Sequence, residues 1–293
     1  MRWTADTLAS QAGGRLLRRG GRPIEGAFTD TRRAIPGALF VPILAERDGH
    51  AYLADAVSGG ASAVLVAPGR EPPAGDVTVV EVDDTLAALQ RLAAAARAGW
   101  SGPVVAITGS NGKTTTRSFV EAVLRTGPAP VLATVGNFNN HLGVPLSVLQ
   151  GPSDPAAAVL EIGMNAPGEV DRLAACVRPS VAVVTSVALE HVEFLGTLAA
   201  IADAETEVFA HLPADGTAIV PSDEPLLLAR VPERLRAGLR TFGPDAGADV
   251  QVVAVELGER THARLRTRDG ELLDLRLRPF GLHHARNAAA ALC

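Results

Sequence analysis

An α/β fold is predicted for this chain: a small α/β domain, then a larger central domain with a mostly parallel sheet flanked by helices and an added β-hairpin. Three observations predict it. From Val104 onward, strand-sized apolar runs alternate with helical patterns, the order that builds parallel strands joined by crossover helices. The first of these strands runs into a glycine-bounded loop, Gly109 to Thr115, that opens a helix. Residues 249–278 alternate in period two around the turn Arg268-Asp269-Gly270-Glu271, as a hairpin does.

Along the first part of the chain, strands are expected at 38–41, 63–66 and 78–82, separated by Gly/Pro turns. Residues 85–100 are rich in Ala and Leu at helical spacing, and Ser101-Gly102-Pro103 breaks that pattern. The division therefore falls near residue 98, giving domains 1–97 and 98–293. In the second domain the expected order is strand 104–108, helix 114–125, a segment through Asn137 and a helix near 144–149. Strand 157–162, helix 168–176, strand 181–185, helix 198–211 and strand 217–220 follow. In open parallel sheets ligands bind outside the carboxyl ends of the strands, so functional residues are sought there. The arginines of the hairpin share one face and read as a solvated strand surface.

Composition narrows the function. With 293 residues, 47% apolar and 20% charged, the chain can bury about two cores and has no membrane-length apolar run. A net charge of −5 argues against a nucleic-acid partner, which would normally need a basic face. Cys176 and Cys293 cannot form a disulfide framework, and the start MRWTADTLASQAGG lacks the layout of a signal peptide. A monomeric protein of the reducing cytoplasm is expected. Lys113 is the single lysine, every other cation being arginine, and it falls inside the glycine-bounded loop. There a compact ammonium on a flexible stem suits a phosphate better than a planar guanidinium.

That loop, Gly109-Ser110-Asn111-Gly112-Lys113-Thr114-Thr115, has the strand–loop–helix setting of a phosphate-binding motif. Glycines let backbone N–H groups close on phosphates, and the helix contributes its positive end. Lys113 reaches the β/γ-phosphates of ATP, and the Thr114 hydroxyl can ligate Mg²⁺. Ala106 and Ile107 stand where the common pattern has glycine, so the loop is a variant.

The variant TGSNGKTTT resembles the TGTNGKTT signature of the Mur ligase superfamily, which also contains folylpolyglutamate synthases and cyanophycin synthetases. TDTRRAIPGALFVPILAERDGHAYLADAVSGGASAVLV is similar to that family's N-terminal UDP-substrate-binding domain, which implies nucleotide contacts for Asp30, Thr31 and Arg32. GNFNNHLGVPLSVL resembles the GNxNNxxGxPL stretch of the branch that joins D-alanyl-D-alanine to a UDP-N-acetylmuramoyl-tripeptide. The resemblance implies substrate contacts for Asn137 and Asn139, with Asn140 beside them. AVLEIGMNAPGEV is similar to the E-[LM]-G-x-N segment whose glutamate holds Mg²⁺, which implies that role for Glu161. TSVALEHVEFLG implies a second metal ligand at His191, although Ser186 replaces the usual asparagine. GLHHARNAAAA resembles the G-x-H-N-x-x-N segment near the adenine; Asn287 keeps that position and His284 replaces the first asparagine.

The segment Ala202-Asp203-Ala204-Glu205-Thr206-Glu207-Val208-Phe209 departs from the resembled A-K-A-K-x-E-[IL]-F, whose lysine is often carbamylated. Glu205 takes the modified position and would supply anionic oxygens to a second Mg²⁺ directly; an exposed helix carboxylate fits the residues equally. The implied activity is ATP-dependent amide ligation through an acyl phosphate, with Lys113, Glu161, His191 and Glu205 as catalytic groups. A third domain beyond Cys293 is implied for binding the incoming amine, so residues 1–293 alone should ligate little. A ligase adding the third amino acid and a non-catalytic nucleotide-binding module remain alternatives.

Overall fold

A computed structural model of the protein describes residues 2–127, 130–189 and 196–293. They form two compact units, one of residues up to Trp100 with His141–Asp154, the other of Ser101–Asn140 with Pro155–Cys293. The units are thus discontinuous in sequence, unlike the single division near residue 98 expected above.

The first unit contains β1 (Arg2–Trp3), α1 (Ala5–Ala12), β2 (Arg15–Arg18), β3 (Ile24–Glu25), β4 (Ala27–Phe28) and β5 (Leu39–Phe40). It continues with α2 (Leu53–Ser58), β6 (Ala63–Val66), β7 (Thr78–Glu81) and α3 (Thr85–Ala98). Its main sheet has the order β2-β7-β6-β5-β4, parallel except for β2. All four residues of β6 are buried, the continuous apolar run of a strand covered on both faces. The Phe28 and Phe40 rings pack with centroids 5.3 Å apart beneath it. Helix α3 begins where the Asp84 carboxylate accepts the N–H groups of Leu86 and Ala87, satisfying two donors that the first helical turn leaves open.

In the second unit α4 (Lys113–Leu124) lies between β8 (Val104–Thr108) and β9 (Val131–Ala133). The next helix, α5 (Gly143–Gln150), belongs to the first unit, where it packs on α3 and Gln150 Nε2 donates to Ala27 O at 2.9 Å. The chain then returns through β10 (Ala157–Glu161), α6 (Glu169–Val177) and β11 (Val181–Val184). Helix α7 (Leu198–Thr206), β12 (Thr217–Pro221), α8 (Pro225–Leu228) and β13 (Leu239–Gly243) come next. The last elements are β14 (Val250–Leu257), β15 (Thr261–Thr267), β16 (Leu272–Leu277) and α9 (His283–Leu292).

Among the described residues these strands form one sheet in the order β16-β15-β14-β13-β12-β11-β8-β10-β9. Neighbours are parallel from β9 to β14, then antiparallel through β16. The mostly parallel, helix-flanked sheet is the expected one. The expected hairpin is β15–β16 around Arg268–Glu271, and through β14, which pairs with β13, it extends the same sheet. Arg264, Arg266 and Arg276 are exposed while Ala263, Leu265 and Leu277 are buried, the period-two division anticipated for this stretch.

In the second unit the short strands β9 and β13 were not expected, and in the first unit neither were β1 to β4, since two to five residues without clean alternation carry little periodic signal. The helix expected over 198–211 is α-helical only to Thr206 and tightens to a 3₁₀ turn over Glu207–His211. No described helix is long and apolar enough to cross a membrane.

Strand order places the site. The chain leaves β8 toward β10 and β9 on one side and later toward β11 on the other, so β8 sits at a topological switch point with its carboxyl end in the crevice. Ile107, Val159, Val183, Ile219 and Phe242 form the core with Ala285, Ala288 and Ala289 of α9, whose small side chains belong to the same cluster. Replacing fully buried Ile107 by alanine should lower stability by about 2–5 kcal/mol in urea unfolding. Leu272→Ala, at a position 52% exposed, should stay within about 0.5 kcal/mol, and equal effects would contradict this account of the core.

Candidate active site

Strand β8 delivers the chain into a turn that only glycine accommodates. Gly109 has φ +117°, and a Cβ there would lie 2.3 Å from Thr185 Oγ1 and 2.7 Å from Thr185 N. The exit of β11 is pressed against the loop. The Thr185 hydroxyl sits 2.6 Å from Asn111 O and 3.0 Å from Thr108 O. Ser186 accepts the N–H of Ser110 on its carbonyl at 3.0 Å and that of Asn111 on its hydroxyl at 2.9 Å. The Ser110 hydroxyl in turn accepts the Ala188 N–H at 2.9 Å, so Ser110 faces inward as a buried strut. Ser186 therefore buttresses the loop with a side chain shorter than asparagine.

Gly112, at φ +89°, is the N-cap of α4, which starts at Lys113, one residue before the expected position. The amides at the head of a helix have no partner within it. Here they border a cavity of about 190 Å³ lined by Ser110 to Thr115, with the positive end of the helix behind them. Lys113 Nζ donates to the carbonyls of Gly109 and, at 3.0 Å, Ser110, folding back across the loop.

Glu161, the last residue of β10, is 2% exposed and held on every side. Thr114 Oγ1 donates to its Oε2 at 3.0 Å, Asn139 Nδ2 donates to its Oε1 at 2.9 Å, and its own N–H donates to Thr134 Oγ1 at 2.9 Å. Arg117 Nε lies 3.6 Å from Oε2 as an ion-pair partner, while Arg117 Nη1 donates to Glu121 at 3.0 Å. A buried carboxylate needs such compensation. The sequence reading missed Arg117; the available signal was its place one helical turn beyond Lys113 with an acidic residue four further on.

Glu205 is 3% exposed, which rules out the exposed helix carboxylate that its sequence also allowed. Its Oε2 accepts the Gly109 N–H at 2.7 Å and the Thr108 hydroxyl, from behind the loop. Gly109 thus turns its amide inward and Ser110 and Asn111 give theirs to Ser186, which leaves the amides at the head of α4 beside the cavity. Two carboxylates, Glu161 and Glu205, flank one phosphate-loop sequence. Among the described residues no three His, Cys, Asp or Glu side chains gather as a metal cluster, and His191 lies outside the described residues.

The other expected residues divide between the units. Asn139 is engaged with Glu161, whereas Asn137 is exposed and contributes its carbonyl to the Asn139 N–H at 2.8 Å. Asn287 is 7% exposed, and its Oδ1 is 2.5 Å from where a Gly112 Cβ would stand. Burial, then the neighbouring His283, push the pKa of His284 below the ordinary imidazole value. In the first unit Asp30, Thr31 and Arg32 line a separate cavity of about 410 Å³ with Phe40, Arg47 and Tyr52. Arg32 forks onto Asp30 at 2.9 and 2.7 Å, and this pairing holds the Asp30 carboxyl below its usual range. Arginines beside aromatic rings suit an anionic ligand bearing a flat ring.

A mostly parallel sheet in which an interior strand opens into a glycine-bounded loop at a switch point, with Lys and Thr heading the following helix, defines a phosphate-loop α/β protein. Residues 107–293 match the Mur ligase middle domain, and the chain belongs to the Mur ligase family. It is 39% identical over 271 residues to the UDP-N-acetylmuramoyl-tripeptide–D-alanyl-D-alanine ligase of Bacillus subtilis (strain 168), an alignment covering 92% of this chain and 58% of that protein. The Escherichia coli (strain K12) enzyme of the same name is 39% identical over 201 residues, 68% of this chain and 44% of the relative.

Among solved structures, MurF from Acinetobacter baumannii superposes with a TM-score of 0.89 at 31% identity, covering 100% of this chain and 64% of its own. MurF ligase from Thermotoga maritima in complex with ADP superposes at 0.81 and 30% identity, covering 92% and 62%. The chain thus spans less than two thirds of these relatives' length.

Gly109→Ala should cost about 1–3 kcal/mol or more in chemical unfolding, because it combines a left-handed φ with a clash against Thr185. An unchanged midpoint would show that the loop is not held there.

Proposed function

We propose that this chain forms the substrate- and ATP-binding parts of a ligase that adds D-alanyl-D-alanine to UDP-N-acetylmuramoyl-tripeptide, with residues 1–97 binding the UDP end and 98–293 binding ATP. The observation that carries the ATP chemistry is the Thr114 hydroxyl 3.0 Å from Glu161 at the mouth of the phosphate loop. The substrate pair follows the names of the relatives. The same reading makes the protein a cytoplasmic monomer.

Joining a carboxylate to an amine is opposed by water, so the carboxylate must first be activated. In the proposed reaction a carboxylate oxygen of the tripeptide attacks the γ-phosphorus and ADP leaves. The D-alanyl-D-alanine nitrogen then attacks the acyl carbon, the bond to phosphate breaks, and the nitrogen loses its proton. None of the named side chains is a nucleophile. Catalysis here is alignment and charge neutralisation. The head of α4 and Lys113 receive the phosphates, Lys113 swinging from the loop carbonyls to the γ-phosphate.

Thr114 and Glu161 present a hydroxyl and a carboxylate, the hard oxygen donors that Mg²⁺ prefers, and Glu161 is already oriented by Asn139. Bound there, Mg²⁺ would neutralise phosphate charge. A second Mg²⁺ is proposed for His191 and Glu205. Glu205 needs no carbamylation to be anionic, and its tie to Gly109 would link that metal site to the loop. Residues that relatives carry beyond the matched portion would bind the incoming amine.

The test is phosphate release and product mass for the polypeptide of the complete reading frame, given ATP, Mg²⁺, UDP-muramoyl tripeptide and D-alanyl-D-alanine. A UDP-muramoyl pentapeptide is expected, and Lys113→Arg should lower kcat on the order of 100-fold or more. A product carrying a single added amino acid would reassign the substrate. Nucleotide binding with no product from either would overturn the ligase reading. Glu205→Ala should alter the Mg²⁺ dependence; unchanged dependence and turnover would remove Glu205 from the metal site.

A further inference from the structure

Four buried side-chain atoms near the start of α9 lack a hydrogen-bond partner among the described residues: Ser222 Oγ, His284 Nδ1, Arg286 Nε and Asn287 Nδ2. Most buried polar groups are paired, so a local cluster of orphans marks a place where a polar ligand completes the bonding. The cluster adjoins the phosphate loop, because Asn287 Oδ1 stands against Gly112. Its geometry depends on where the first turn of α9 is held.

Among the described residues, a two-pronged ion pair ties that turn to the residues just after β12. Arg286 donates through Nη1 and Nη2 to the two oxygens of Asp223 at 2.8 and 2.6 Å, a two-pronged contact that fixes orientation as well as distance. The guanidinium also lies 5.9 Å from the ring centroid of Phe242, itself 1% exposed in the core. Gly243 closes the other side: at φ +143° its missing Cβ would be 2.7 Å from Ser222 Oγ. Asp223 and Arg286 therefore register the first turn of α9 against the sheet, immediately before Asn287.

We propose that the Asp223–Arg286 pair is a positioning clamp that presents Asn287 and His284 to the base of the nucleotide whose phosphates occupy the loop; the inference rests on the nucleotide reading above. Asn287 Nδ2 is a donor matched to a ring nitrogen that is an acceptor in adenine and an N–H in guanine, and Asn287 Oδ1 packs where a Gly112 Cβ would stand. In the proposed site the phosphates are held by α4 amides and Lys113, and Lys113 bonds to the loop carbonyls while Asp223 and Arg286 bond to each other. Breaking the pair should therefore damage recognition of the base and spare recognition of the phosphates.

The experiment measures calorimetric binding of ATP, GTP and inorganic tripolyphosphate, each with Mg²⁺, to the wild type, Asp223→Asn, Arg286→Lys and the exchanged pair D223R/R286D. Thermal melting serves as the check on folding. The single variants should bind ATP about tenfold more weakly, lose preference for ATP over GTP, and hold tripolyphosphate within about twofold. The exchanged pair should recover part of the ATP affinity. Unchanged ATP binding, or an equal loss for tripolyphosphate in variants that melt normally, overturns the clamp. A wild type that binds ATP no better than tripolyphosphate overturns base recognition but leaves the phosphate loop intact. One that binds neither removes the nucleotide reading and the clamp with it.

Discussion

At Gly109 the central strand of a parallel sheet has to turn into a helix within four residues, and it does so at φ +117° with Thr185 filling the space a side chain would need. The rest of the site is arranged around that turn. Thr185 and Ser186 anchor the loop from β11, Glu205 anchors it from α7, and Gly112 opens α4 on the far side. Because the anchors come from separate elements of the sheet, the loop is shaped before any ligand arrives. Such preorganisation is what a phosphate-binding loop needs, since no ordering cost then falls on the binding step.

The second constraint is electrostatic. Two carboxylates are nearly excluded from solvent close to a loop suited to anions, an arrangement that repels phosphate unless each charge is answered. Glu161 is answered by Thr114, Asn139 and the Arg117 guanidinium, and Glu205 by the Gly109 amide and the Thr108 hydroxyl. These partners are all oxygen and nitrogen groups, and the carboxylates with their hydroxyl partners are the donors that a hard cation prefers. In the asparagine run, Asn139, expected at the substrate, also orients Glu161.

Legibility in the sequence followed the strength of the local signal. Strands β6 and β8 were placed to the residue because continuous apolar runs bounded by turns admit few alternatives, and α3 was marked by its Ala/Leu spacing and the Ser101-Gly102-Pro103 break after it. Strands β9 and β13 were too short to show a period. The loop was legible because its chemistry is carried by contiguous residues, and a lone lysine among arginines drew attention to it. Arg117, Thr185 and Thr134 were not legible, since a hydroxyl or guanidinium acquires its role only from what it is packed against.

The order of strands and helices, the left-handed glycines of the loop and the family to which the chain belongs are properties of local sequence, set by steric limits and apolar periodicity that act within a few residues. The burial of Glu205 behind Gly109, the pairing of Arg117 with Glu161, the fork between Asp223 and Arg286 and the return of α5 to the first unit belong to the tertiary structure. Each joins residues distant in the chain, and burial, which decides whether a charge must find a partner, exists only once the chain has packed.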